Sequence, residues 1–134
     1  MSMNRRFILS AIPASIVTLG IPSASAASAS GLGIIFVGQS TCPYCAAAAP
    51  VLEQLHRDVG IPVIVASMDG LPVYPFAHVQ DARANPLTSH YASVPQVLVY
   101  NQRLDRVTHE FGGFRNMRHF INQLSSALRQ ASQL

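Results

Sequence analysis

Two cysteines, Cys42 and Cys45, are the only thiols in this chain of 134 residues, and they stand in the segment Ser-Thr-Cys-Pro-Tyr-Cys. Two thiols at this spacing form a two-electron couple, because one can attack a disulfide and the other can then displace the partner. A bond between them closes a loop too short to remove much chain entropy, so a structural staple explains the pair poorly. The pair therefore indicates thiol–disulfide exchange.

Metal binding is the alternative chemistry for such a pair. Structural zinc takes four ligands, and the sequence offers no third cysteine. The five histidines lack the paired spacing of a zinc site; they are His56, His78, His90, His109 and His119. We therefore expect no metal and no organic cofactor.

The element that would position Cys42 is a helix that begins at the cysteine pair. Pro43 suits the first helical turn, where a missing N–H costs nothing, and Gly60 is typical of a helix end. Cys42 would then lie at the helix N-terminus, where free N–H groups and the helix dipole stabilise a thiolate. Cys45 follows one turn later, within reach of a mixed disulfide on Cys42.

The N-terminal segment has the layout of a secretory signal peptide. Two arginines precede an apolar run from Phe7 to Ile21, and Ala24-Ser25-Ala26 fits the A-x-A cleavage pattern. The run is shorter than the roughly 20 residues of a membrane span. We predict a signal peptide over residues 1–26, a linker over 27–32 and a single domain over 33–134. The export route, Sec or Tat, stays open.

Cleavage would change the charge of the chain and fix its compartment. The formal net charge is +3, and loss of Arg5 and Arg6 lowers it to +1. A chain so close to neutrality argues against nucleic-acid binding. A hydrophobic content of 49% indicates a globular protein. Export predicts a periplasmic protein in an oxidising compartment, where disulfide chemistry operates.

Apolar runs and turn residues predict an α/β fold with a central mixed sheet flanked by helices. The predicted strands are Ile34–Val37, Pro62–Ser67, Gln96–Tyr100 and Asp105–Phe111. The predicted helices are 42–59, a short one over Pro86–Tyr91, and Arg115–Arg129, with residues 68–86 as a long loop over one end of the sheet. In the last helix Phe120, Leu124 and Leu128 recur every four residues and predict the buried face, with Ile121 beside them.

Four features together resemble the thioredoxin superfamily: an apolar strand, a CxxC pair at a helix start, Pro50 five residues after Cys45, and Val94-Pro95 ahead of a strand. The resemblance covers nearly all of the predicted mature chain and implies a thioredoxin-like fold. It implies that Pro50 kinks the active-site helix and that the Val94–Pro95 bond is cis beside the cysteine pair. It also implies that the main chain of Val94 pairs with an extended substrate segment.

Residues Val65 to Pro72, Val-Ala-Ser-Met-Asp-Gly-Leu-Pro, are similar to the segment after the second strand in TraF/TrbB-like proteins, the periplasmic thioredoxin-fold members of bacterial conjugation systems. This resemblance implies a disulfide oxidoreductase in which Cys42 attacks and Cys45 resolves. The implied partners are cysteine-containing periplasmic proteins, including conjugative transfer proteins, and a membrane redox partner. The residues implied to contact substrate are Pro43, Tyr44, Val94 and Pro95.

Phe36 departs from the pattern of the superfamily. Thioredoxins and strong periplasmic oxidases have a buried carboxylate six residues before the first cysteine, and here that position holds Phe36. Without an acid to take its proton, Cys45 should keep a high pKa. Because periplasmic isomerases also lack this acid, the departure favours disulfide shuffling, although oxidation, reduction and isomerisation all remain open.

Two other functions also remain open at this point. The first is a redox-inert thioredoxin-like binding module of a transfer or secretion assembly, which would dock through the loop Met68–Pro86 with its Tyr74 and Phe76. The second is a secreted glutaredoxin-like protein, because Cys-Pro-Tyr-Cys is the motif of many glutaredoxins. Phe114-Arg115 lacks the acid expected after the double glycine in glutaredoxins, which argues against the second.

Overall fold

The structure, a computed structural model, describes residues 31–134. Residues 1–30, with the predicted signal peptide and most of the predicted linker, lie outside the described residues. The described elements are β1 (Leu32–Gly38), α1 (Pro43–Val59), β2 (Val63–Ser67), β3 (Gln80–Asp81), a 3₁₀ turn (Ala82–Ala84), β4 (Gln96–Asn101), β5 (Arg106–Gly112) and α2 (Met117–Ser132).

These strands form one mixed sheet in the order β3-β2-β1-β4-β5. The central strand β1 is buried along its whole length, as its uninterrupted apolar sequence predicts. It pairs in parallel with β2 and antiparallel with β4, and β5 returns antiparallel beside β4. The mixed sheet of the prediction is therefore confirmed. Because β1 ends at Gly38 opposite the start of β4, the segments that follow β1 and precede β4 meet at one end of the sheet.

Local sequence explains where the two helices begin and end. Helix α1 starts at Pro43 and ends before Gly60, whose φ of 79° is the left-handed conformation that glycine adopts without strain. It runs through Pro50, which removes one helical hydrogen-bond donor on an exposed part of the helix. Helix α2 starts after Asn116, whose side chain accepts the N–H of His119 at 2.8 Å.

The main core lies between the sheet and the two helices. Phe36 of β1, Leu52 of α1 and Phe120 of α2 are fully buried there. A smaller cluster around Leu98 covers the opposite face of the sheet. Ile121 is 42% exposed, because the helix turns it away from the row that includes Phe120.

Two predictions for the segment between β2 and β4 are wrong. The predicted long loop contains the edge strand β3, which pairs in parallel with β2 through Ala66 and Gln80. The predicted helix over Pro86–Tyr91 is a series of turns. There the Asn85 side chain accepts the N–H of Leu87, and the buried Thr88 hydroxyl donates to the Ala82 carbonyl at 2.7 Å. These side-chain bonds satisfy the backbone in a turn instead of a helix.

Within residues 31–134, no helix is both long and apolar enough to cross a membrane.

Candidate functional site

Cys42 is the N-cap of α1, as predicted. Its backbone is extended, with φ of −86° and ψ of 113°, and its carbonyl accepts the N–H of Ala46 at 3.1 Å. Its Sγ accepts the N–H of Cys45 at 3.2 Å, the bond that an N-cap oxygen makes in other helices. The side chain is only partly buried, so the sulfur combines contact with solvent and contact with the helix N-terminus. The attacking sulfur expected from the sequence is therefore within reach of a partner from outside.

Cys45 lies one turn further along α1 and is fully buried. It packs in the main core with apolar neighbours that include Phe36 and Ala49. Burial, and secondly the hydrogen bond with Cys42, raise the pKa of the Cys45 thiol to about 12. The two thiols therefore differ: one is reachable from outside, and the other is enclosed and holds its proton.

The residue at the position of the missing carboxylate is itself buried. Phe36 is fully buried in the main core, and a Cβ built on Gly38 would lie 3.2 Å from its ring and 3.6 Å from the Cβ of Cys45. A side chain at position 38 would therefore crowd both groups, and glycine leaves room for them. The high pKa expected for Cys45 from the sequence is what the structure shows.

The Val94–Pro95 bond is cis, as the resemblance implied. Pro95 is buried immediately before β4, and its carbonyl accepts the N–H of Gly113 at 2.9 Å. Val94 and Cys42 are both partly buried. Because the end of β1 pairs with the start of β4, Cys42, which follows β1, and Val94, which precedes β4, stand at the same end of the sheet. Among residues 31–134, no main-chain hydrogen bond engages Val94. Its N–H and C=O are therefore not engaged by the main chain of these residues.

Tyr44 lies between the two cysteines in sequence and is 57% exposed. Its ring stacks on Phe114, with centroids 6.0 Å apart, and Phe114 in turn contacts the buried Phe120 at 5.6 Å. Pro43 is exposed beside it. Sequence reasoning missed Phe114 as a site residue, because its partner Tyr44 is far away in the chain. The double glycine before it was the available signal.

In the described part of the chain, no three histidine, cysteine or acidic side chains come together as a metal site would require.

The family model described as TraF, F plasmid transfer operon protein, matches residues 23–109, which is more than half of the chain. This chain belongs to the TraF family. A comparison with curated proteins gives no match.

Solved structures place the TraF-family chain in the thioredoxin fold. The pneumococcal exposed lipoprotein thioredoxin from Streptococcus pneumoniae matches with a TM-score of 0.56 and 13% identity, over 80% of this chain and 89% of that one. A thiol:disulfide interchange protein of the thioredoxin family from Chlorobium tepidum gives 0.52 and 14%, over 81% and 84%. The periplasmic thioredoxin SoxS from Paracoccus pantotrophus gives 0.50 and 21%, over 75% and 98%. At these identities the likeness establishes the fold alone.

Within that fold, the site residues expected from the sequence lie together at one end of the sheet of this TraF-family chain. The two cysteines stand at the start of α1, and the cis-proline segment precedes the neighbouring strand. The exposed Tyr44 completes the surface around Cys42. The arrangement is chemically competent for thiol–disulfide exchange.

Proposed function

We propose that this protein is a periplasmic thiol–disulfide oxidoreductase. One observation carries the proposal: a partly exposed Cys42 caps the start of α1 while Cys45, one turn on, is enclosed in the core. A couple with one accessible and one sheltered sulfur forms and resolves mixed disulfides in a fixed order. Membership of the TraF family and the thioredoxin fold support it.

In the reducing direction, the Cys42 thiolate attacks one sulfur of a substrate disulfide and the other sulfur leaves as a thiolate. Cys45 then loses its proton to solvent, and its thiolate attacks Cys42 Sγ. The second substrate sulfur leaves as a thiolate, and the Cys42–Cys45 disulfide holds the oxidised state. Two electrons have then passed to the substrate, and the oxidising reaction is the same sequence reversed.

The cis-proline segment is the proposed contact for the substrate main chain. The free N–H and C=O of Val94 can pair with an extended segment next to the substrate cysteine, as strands pair at a sheet edge. Pro95 fixes that segment, while Pro43 and Tyr44 supply exposed apolar surface on the other side of Cys42. The substrate class is accordingly a cysteine-containing protein in an extended or unfolded region.

We propose conjugative transfer proteins as substrates, with a membrane protein as the redox partner that resets the couple. The family model that matches the chain is that of a plasmid transfer protein. The raised pKa of Cys45 favours a long-lived mixed disulfide on Cys42. A long-lived mixed disulfide gives a substrate thiol time to attack and rearrange, so isomerisation is the direction that we favour.

The decisive experiment is reduction of insulin disulfides, together with refolding of scrambled ribonuclease. Wild-type protein should catalyse both, and Cys42→Ala should abolish both because the attacking sulfur is gone. Ser125→Ala, an exposed change on α2, serves as the matched control and should act like wild type. Equal activity of wild type and Cys42→Ala would refute the proposal.

A redox-inert binding module is the second candidate, and the segment after β2 favours it. Leu71 is 56% and Tyr74 85% exposed there, a large apolar exposure for one loop. The reduction potential separates the two candidates. A working couple should lie between about −120 and −270 mV, whereas a permanently closed disulfide should lie below about −300 mV.

A further inference from the structure

Asp69, just beyond the end of β2, reaches across to the segment that carries Cys42. Its carboxylate accepts the N–H of Ser40 at 3.3 Å and contacts the Ser40 hydroxyl. It also accepts the buried hydroxyl of Ser67 at 2.7 Å and the N–H of Leu71 at 3.2 Å. Four donors from three residues therefore converge on one exposed side chain.

These donors keep the carboxylate ionised. The hydrogen bonds from Ser40, and next from Ser67, lower the pKa of Asp69 to about 2. An ionised carboxylate has only acceptor sites, so the donors of Ser40 fit it and would not fit an amide nitrogen. The contact therefore persists throughout the pH range in which a thiolate on Cys42 would act.

The segment held in this way is the one that sets the position of Cys42. Ser40 stands two residues before it, and the N–H of Cys42 itself donates to the carbonyl of Gln39 at 3.2 Å. A second bond, from the N–H of Met68 to the carbonyl of Gly38 at 2.9 Å, joins the same two segments. Ser40 and Thr41 are exposed. Burial therefore does little to hold the middle of this turn, where the polar contacts of Ser40 join it to the end of β2.

We propose that Asp69 is a positioning residue for the redox couple: by holding Ser40, it keeps the Cys42 sulfur in line with the N–H of Cys45 and the start of α1. The inference rests on the proposed oxidoreductase function. It assigns Asp69 no contact with the substrate and no proton transfer. Its effect is to stabilise the thiolate of reduced Cys42, and a more stable reduced form makes the couple more oxidising.

A positional role and a purely electrostatic role of Asp69 predict opposite effects of its loss on the stability of the Cys42 thiolate. A negative charge near a thiolate disfavours it, so loss of the Asp69 charge alone would stabilise the thiolate. Loss of the anchor would do the reverse, because the Cys42 sulfur would leave its alignment with the Cys45 N–H. Ser40→Ala provides the matched comparison: it removes one hydrogen bond to Asp69 and leaves the charge unchanged.

The test measures two properties of full-length mature protein carrying Asp69→Asn or Ser40→Ala. The first is the equilibrium of the pair with glutathione, and the second is the pH midpoint of Cys42 alkylation by iodoacetamide. Both variants should shift the equilibrium about 2- to 10-fold toward the disulfide, the size expected for loss of one hydrogen bond, and should raise the alkylation midpoint. Asp58→Asn removes an exposed carboxylate on α1 that accepts a hydrogen bond from Gln54, and it should change neither property.

An opposite shift in Asp69→Asn, with Ser40→Ala silent, would show an electrostatic role and overturn the proposal. Lower thermal stability with an unchanged equilibrium and an unchanged alkylation profile would show a merely structural role and also overturn it. If Asp69→Asn does not fold, Ser40→Ala carries the test alone. Neither measurement requires turnover, so a wild-type protein inactive on insulin would refute the oxidoreductase proposal while the role of Asp69 was still decided.

Discussion

The resolving step should be slow at neutral pH and should accelerate steeply with pH, because Cys45 is buried and Phe36 occupies the position where related proteins have an acid. The pKa of its thiol is raised to about 12. At any pH well below its pKa, the ionised fraction of a thiol rises about tenfold for each pH unit. The thiolate is the attacking species, so the rate of resolution should rise about 100-fold between pH 7 and pH 9.

The pKa of Cys45 should differ between the reduced protein and the mixed-disulfide intermediate. When Cys42 is in a mixed disulfide, its hydrogen bond and charge no longer raise the pKa of Cys45. Burial, the largest cause, remains. The pKa in the intermediate should therefore fall below 12 and stay above the ordinary value of 9.0. The steep rise should accordingly continue at least to pH 9.

Stopped-flow mixing of the reduced protein with the aromatic disulfide DTNB measures both steps. Attack by Cys42 releases the first thionitrobenzoate, and attack of Cys45 on the resulting mixed disulfide releases the second. Cys45→Ser should show the first phase alone. The reasoning is refuted if the second phase is independent of pH or reaches its plateau below pH 9, because either result requires a proton acceptor beside Cys45 or an exposed thiol.

The buried core, the buried Cys45 thiol and the cap of α2 each give a prediction for the stability of the protein. Phe120→Ala should lower the free energy of unfolding, measured by urea denaturation, by about 3–5 kcal/mol because Phe120 is fully buried. Ile121→Ala should lower it by less than about 1.5 kcal/mol because Ile121 is 42% exposed. Equal losses in the two variants would contradict the packing described. The free energy of unfolding of the reduced protein should fall as pH rises from 9 toward 12, because Cys45 keeps its proton in the folded protein and loses it in the unfolded protein. The oxidised protein has no Cys45 thiol, so its free energy of unfolding should not show this fall. Asn116→Ala should cost about 1 kcal/mol, since it removes the cap of α2, while Asn122→Ala should cost less.

Local sequence is enough to predict the part of the site that carries the two cysteines. A helix beginning at Cys42 depends on the residues of its own first turn, and its end depends on Gly60. The burial of β1 depends on its unbroken apolar sequence. The cis bond at Pro95 was predicted only from the resemblance, since no local pattern distinguishes it from an ordinary proline before a strand.

Contacts between distant segments explain what the sequence did not predict. Strand β3 has two residues, too few for a pattern, and exists because Gln80 meets Ala66 at the sheet edge. The contact of Ser40 with Asp69 joins residues 29 positions apart. Neither residue type is unusual for a loop, and only the return of the chain from β2 brings them together. The Ser-Met-Asp-Gly segment resembles the same segment of the family, but it carries no sign of this contact.

The two cysteines therefore owe their difference to different parts of the fold. Cys42 depends on a turn that polar contacts with Asp69 hold in place, so its properties should respond to surface substitutions. Cys45 depends on apolar burial beside Phe36, so its properties should respond to core substitutions. Loosening the turn should change mainly how readily a mixed disulfide forms, and changing the core should change mainly how long it lasts. Because the Cys42 sulfur accepts the N–H of Cys45, a double substitution at the two places should show some coupling. The attacking step therefore responds first to the surface turn, and the resolving step first to the core.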